Sequence, residues 1–185
     1  GFAYSFMVNN GNPSTAPALG EAMAQRLNTI IRAGEHAREC SAQRSRGAFP
    51  RALEAARKAL LVDPDLPAAH LCTLLVYEAQ RMPPDSVIAA ARRALRGDSL
   101  NGTAWERIAQ MANVKRDTAL MVDARIQQLR GEPQNTGLRI GIVHLLLQMK
   151  QYQRAVDLLD DGLASNPGDQ PMMDRKLQIC IEGSL

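Results

Sequence analysis

Between Gln151 and Gly168, apolar and small side chains fall at Tyr152, Ala155, Val156, Leu159, Gly162 and Leu163, a spacing of i, i+3, i+4, i+7, i+10 and i+11. On a helix these positions form one stripe about three turns long. Asn166-Pro167-Gly168 ends it, because proline lacks the amide the next turn needs and glycine accepts turn geometry. The unit is not unique. Ala56-Arg-Lys-Ala-Leu-Leu-Val-Asp-Pro64 overlays Ala91-Arg-Arg-Ala-Leu-Arg-Gly-Asp-Ser99, Leu95 to Ser99 overlays Leu129 to Pro133, and Leu129 to Pro133 overlays Leu163 to Pro167. The offsets are thirty-five, thirty-four and thirty-four residues, room for two helices of three to four turns and two short loops.

Other stretches show where such helices meet. Leu138 to Met149 is apolar nearly all round, as in a helix covered on several sides. Pro171 to Ile181 interleaves Asp174, Arg175, Lys176 and Gln178 with apolar residues and reads as a cap that shields the last hairpin from water. Upstream, Leu19, Met23, Leu27, Ile30 and Ile31 share one helical face, and no breaker proline follows before Pro50. The spacing predicts a helix from Ala18 to about Arg46, with Gly34 as the place for a kink. Asn9 to Pro17 is a linker by composition. Gly1 to Val8 is the most strand-like stretch, with Phe2, Tyr4 and Phe6 alternating, yet the rest of the sequence offers it no partner strand. It packs on the helices, pairs with another chain, or is the torn end of a preceding domain. The expected division is an extended segment over 1–17 and a helical repeat domain over 18–185.

Composition narrows this further. The 185 residues are 45% hydrophobic and 22% charged, an ordinary globular balance. Only 4% are aromatic, which suits close-packed helices better than a sheet. A net charge of +3, with bases scattered among acids, gives no footprint for nucleic acid. No apolar run reaches transmembrane length. Gly1 in place of an initiator methionine marks a processed chain or a fragment.

With the period in hand, the chain resembles the tetratricopeptide repeat family over roughly residues 33 to 185. The glycine, aromatic and alanine of the family's turn between helix A and helix B appear as Gly47, Phe49 and Ala52, and again as Tyr152 and Ala155 with Lys150 in place of the glycine. The small residue late in helix B is matched by Ala59, Ala94 and Gly162, the closing proline by Pro64, Pro133 and Pro167, and the helix A aromatics by Trp105 and Tyr77. Departures are Arg125 and Gln128 at small or apolar positions, and an extra residue around Met82-Pro83-Pro84. The resemblance implies an all-α, right-handed solenoid of about four helix hairpins, over about 33–66, 67–101, 102–135 and 136–169, with a capping helix over 170–182.

No nucleophile, phosphate-loop, zinc-protease or dinucleotide motif is present, and Asp160-Asp161 are neighbours that point apart on a helix. The chain is therefore expected to be no enzyme and to need no cofactor or metal. His36 and His70 fall at the family's bulky helix A position and read as packing residues. For Cys40 and Cys72, three readings stand side by side: buried thiols, a disulfide between neighbouring A helices in an oxidising compartment, or a metal site shared with His36 and His70. By resemblance, the A helices line a concave groove for a partner peptide or protein. Its facing positions would be Ala37, Ser41 and Arg44; Leu71, Leu75 and Glu78; Glu106, Gln110 and Asn113; and Ile140, His144 and Leu147. These positions lack the lysines of the family's carboxylate clamp, so leucine-like anchors and amide hydrogen bonds are the expected chemistry. The alternative is a structural subunit that assembles with its own kind through the N-terminal segment, and nucleic acid is not an expected partner.

Overall fold

The computed structural model describes residues 15–182, and among them every regular element is a helix. They are α1 (Thr15–Ser45), α2 (Phe49–Val62), α3 (Pro67–Ala79), α4 (Pro84–Gly97), α5 (Gly102–Val114), α6 (Thr118–Gly131), α7 (Thr136–Gln148), α8 (Tyr152–Ser165) and α9 (Gln170–Glu182). The strand-like stretch at Gly1–Val8 lies outside the described residues. The long first helix follows the absence of a breaker before Pro50, and Asn166-Pro167-Gly168 does end α8.

The helices pair in sequence, α1 with α2, α3 with α4, α5 with α6 and α7 with α8, and each second helix also packs on the first helix of the next pair. First helices also touch each other, α1 with α3 and α7 with α9, whereas among the described residues no two second helices make comparably extensive contact. The array therefore curves with the first helices on its inner side. Contacts are made by small residues: Ala52, Ala55, Ala56 and Ala59 are the buried positions of α2, and Ala90, Ala91 and Ala94 are buried on α4. Larger side chains such as Leu74, Ile108, Ile142, Leu146 and Leu159 fill the spaces between layers. Cys40 and Cys72 are both buried and joined as a disulfide, with Cα atoms 6.3 Å apart, tying α1 to α3 within a cluster that includes Ala52, Ala55, Ala56 and Val76.

Each loop inside a pair ends its first helix the same way. Gly47, Arg81, Arg116 and Lys150 all have left-handed backbone, with φ of 73°, 53°, 59° and 56°. At all four, the residue donates to the carbonyl three positions back and its successor to the one five positions earlier, as in Lys150 N to Leu147 O at 2.9 Å and Gln151 N to Leu146 O at 2.8 Å. This is the Schellman ending, which glycine adopts without steric penalty. The loops between pairs are governed by crowding instead. A Cβ on Gly97 would collide with the carbonyl oxygen of Asp65, and one on Gly131 would lie 2.9 Å from that of Leu100. The repeated Leu-Arg-Gly of the sequence thus has a cause: the end of α4 and of α6 presses against the preceding loop.

Three of the four left-handed positions carry a side chain, where the conformation costs roughly 1 kcal/mol. Lys150→Gly should accordingly raise the stability of the chain by about 0.5–1 kcal/mol in urea unfolding. A loss of stability would show that Lys150 contributes through its side chain and that the strain assignment is wrong.

Candidate functional site

The inner face is built from the second half of α1 and from α3, α5 and α7. Leu71, Leu75, Ile140 and Leu147, the leucines and isoleucine expected to face a groove, are half-buried. Leu71, Ile140 and Leu147 lean on the core clusters with one side and stay accessible on the other. His144 and Asn113 are exposed, Glu78, Glu106 and Gln110 are half-buried, and of the first-helix positions Ala37 is buried, Arg44 half-buried and Ser41 exposed.

The polar members of this face are brought together by a residue that the repeat pattern did not single out. Arg107 donates from Nε to Glu78 Oε2 at 2.8 Å and from an Nη to Gln110 Oε1 at 3.0 Å, and that Nη lies 3.5 Å from Glu106 Oε2. Gln110 in turn donates to Glu106 Oε1 at 3.1 Å. One guanidinium therefore links α3 to α5 and consumes much of the charge that Glu78 and Glu106 would otherwise present. Its signal in the sequence is weak, because Glu78 and Arg107 are twenty-nine residues apart, off the repeat period.

A second device lies one helical turn inside α3, α5 and α7. His70, Trp105 and Arg139 stand at equivalent positions, and each reaches a backbone carbonyl six residues upstream. His70 Nε2 is 2.8 Å from Pro64 O, Trp105 Nε1 donates to Ser99 O at 2.8 Å, and Arg139 Nη2 donates to Pro133 O at 2.8 Å. Three chemically different side chains thus pin the same loop. Arg139 also donates from Nη1 to Leu158 O at 2.8 Å and is 5% exposed. Burial pulls its pKa down, and Asp161 and Asp169 partly offset this. Gly162 makes room for it, since a Cβ there would lie 2.6 Å from Arg139 Nε and 2.5 Å from Met172 Sδ.

These contacts resolve the cysteine and histidine readings. Cys40 and Cys72 are bonded to each other and His70 faces Pro64 O, so the four side chains do not form a ligand set. Among the described residues no group of three or more His, Cys, Asp or Glu could hold a metal ion. Of the departures from the repeat pattern, Arg125 and Gln128 satisfy one another by a 3.2 Å hydrogen bond.

Residues 124–178, from α6 into α9, match the tetratricopeptide repeat family. The chain has the tetratricopeptide-repeat fold. Among solved structures it is similar to the MamA protein, with 14% identity over 83% of each chain and a TM-score of 0.54. It is also similar to PilF of Pseudomonas aeruginosa, with 17% identity over 85% of this chain and 71% of that one at a TM-score of 0.54. YrrB, described as a TPR protein with an unusual peptide-binding site, aligns with 16% identity over 92% of this chain and 84% of its own, at a TM-score of 0.53. No curated protein sequence matches the chain.

Replacing a buried donor leaves the carbonyls it served without a partner. Arg139→Met should cost about 2–3 kcal/mol and His70→Phe about 1 kcal/mol, by urea denaturation. Equal, negligible losses at both positions would contradict the loop-pinning role.

Proposed function

We propose that this chain is a non-catalytic interaction module whose inner face holds a segment of another protein. The observation that carries this reading is that Leu71, Leu75, Ile140 and Leu147 are each half-buried, with Leu71, Ile140 and Leu147 also packed on the core, so that they still offer an apolar surface. Exposed His144 and Asn113 supply hydrogen-bonding groups beside it. Glu78 and Glu106 are engaged by Arg107, so the middle of the face is closer to neutral than its sequence suggests. A face of this chemistry suits a peptide with spaced leucine-like anchors whose backbone meets amide and imidazole side chains. It does not suit a strongly acidic tail, which would require unpaired cations. The peptide-binding site described for YrrB is a precedent within the same fold, and no more than that.

Selection from a displayed peptide library tests this. The wild-type chain should enrich peptides with leucine-like residues at helical or extended spacing. Leu75→Glu and Leu147→Glu should lose that enrichment by tenfold or more while keeping the helical circular dichroism of the parent. If both variants enrich the same peptides as the wild type, the inner face is not the binding surface. If either loses its helical signal, that leucine belongs to the core.

A further inference from the structure

One repeat position links neighbouring first helices twice and then stops doing so. Cys72 is bonded to Cys40 and ties α3 to α1. Thirty-five residues on, Arg107 donates to Glu78 at 2.8 Å and ties α5 to α3. Thirty-four residues further stands Gly141, which has no side chain to reach across. A Cβ built on Gly141 would meet nothing within 4 Å.

A second irregularity lies beside the first. Ala56, Ala91 and Leu159 share one repeat position on α2, α4 and α8, and they are 1%, 0% and 0% exposed. On α6 that position is Arg125, and it is only half-buried. A guanidinium at a place the other repeats bury needs a counter-charge or access to water. Here it borders a cavity of about 340 Å³ between α6 and α7. Met121, Leu138, Ile142 and Leu145 form apolar walls, Gly141 leaves space beside them, and Arg125 is the one polar side chain of the lining. A guanidinium has five N–H donors. Among the described residues Arg125 forms no ion pair, and its hydrogen bond is the one to Gln128 Oε1 at 3.2 Å. An apolar cavity and an unanswered positive charge therefore stand together where the repeat would otherwise be filled.

We propose that this cavity binds an aliphatic monocarboxylate, with its chain against the apolar walls and its carboxylate on Arg125. The volume lies at the lower end of the roughly 300–1,000 Å³ of ligand pockets, so the ligand is small. One guanidinium balances one negative charge, and its parallel N–H groups match the two oxygens of a carboxylate. A phosphate brings nearly twice that charge and three acceptor oxygens, for which the lining offers no second cation. A neutral chain would gain from the walls and leave the guanidinium unanswered. None of Leu71, Leu75, Ile140 and Leu147 lines the cavity, so the site is separate from the peptide surface proposed above.

Titration of the isotope-labelled whole chain with octanoate and with octanamide, followed by amide NMR at neutral pH, tests this. Octanoate should shift the amides of residues 121–125 and 137–145 saturably, with a dissociation constant on the order of 1 mM. Octanamide, which has the same chain without the charge, should bind about tenfold more weakly. Arg125→Gln should lower octanoate to the octanamide level and leave octanamide unchanged. Gly141→Glu, at an exposed helical site with open space, supplies a carboxylate at the cavity and should weaken octanoate at least about tenfold. Both variants should keep the circular dichroism of the parent. The proposal is overturned by equal binding of octanoate and octanamide to the wild type, or by octanoate binding that both variants leave intact. Shifts confined to residues 18–32 also overturn it. Every described side chain there is exposed, and Leu19, Met23 and Leu27 offer an apolar row without this cavity. The absence of any saturable shift up to about 10 mM overturns it as well.

Discussion

None of these helices can bury its apolar side alone, and the rest of the structure follows from that constraint. The buried positions of α2 are alanines, and α4 adds Ala90, Ala91 and Ala94. Each removes little surface from water, so stabilisation accumulates only when helices lie side by side along their length. Small contact residues also let helix axes approach closely, and this brings the loops into contact with their neighbours. Gly97 and Gly131 are the consequence, since a Cβ at either would meet the carbonyl of the preceding loop.

Side-by-side stacking places demands on the loops, which must all turn alike. Two recurring devices meet them: a left-handed residue where the first helix of each pair ends, and a side-chain donor that holds the loop six residues upstream. The donor changes from imidazole to indole to guanidinium, yet the carbonyl it serves is the same. At α9 the equivalent residue is Met173, which has no donor and lies 37% exposed. Among the described residues, α9 therefore lacks both the pinning donor and a covering helix.

The repeat was legible from the sequence because it is written in residue size and in breakers: the offsets of thirty-four and thirty-five residues mark the helix pairs, and Tyr152, Ala155, Leu159 and Gly162 mark the face of α8. What the period does not encode was not legible. Arg107 binds Glu78 across twenty-nine residues, and Arg139 is a buried charge at a position that pattern reading assigns to a bulky apolar group. The inner-face leucines were legible as positions but not as surfaces, since only their packing shows that one side remains accessible. The apolar face of Leu19 to Ile31 was visible, but sequence periodicity cannot distinguish a face that is covered from one that is not.

Nearest-neighbour stacking makes stability a property of position along the array. Native-state hydrogen exchange, read helix by helix at a concentration where the chain is monomeric, measures this directly. Amides of α3 to α7 should exchange slowest, protection should fall toward α9, and residues 18–32 should exchange at rates close to those of an unstructured chain. Uniform protection from residue 18 to residue 182 would contradict the account, because it would mean that the projecting half of α1 is held as firmly as the helices packed on two sides.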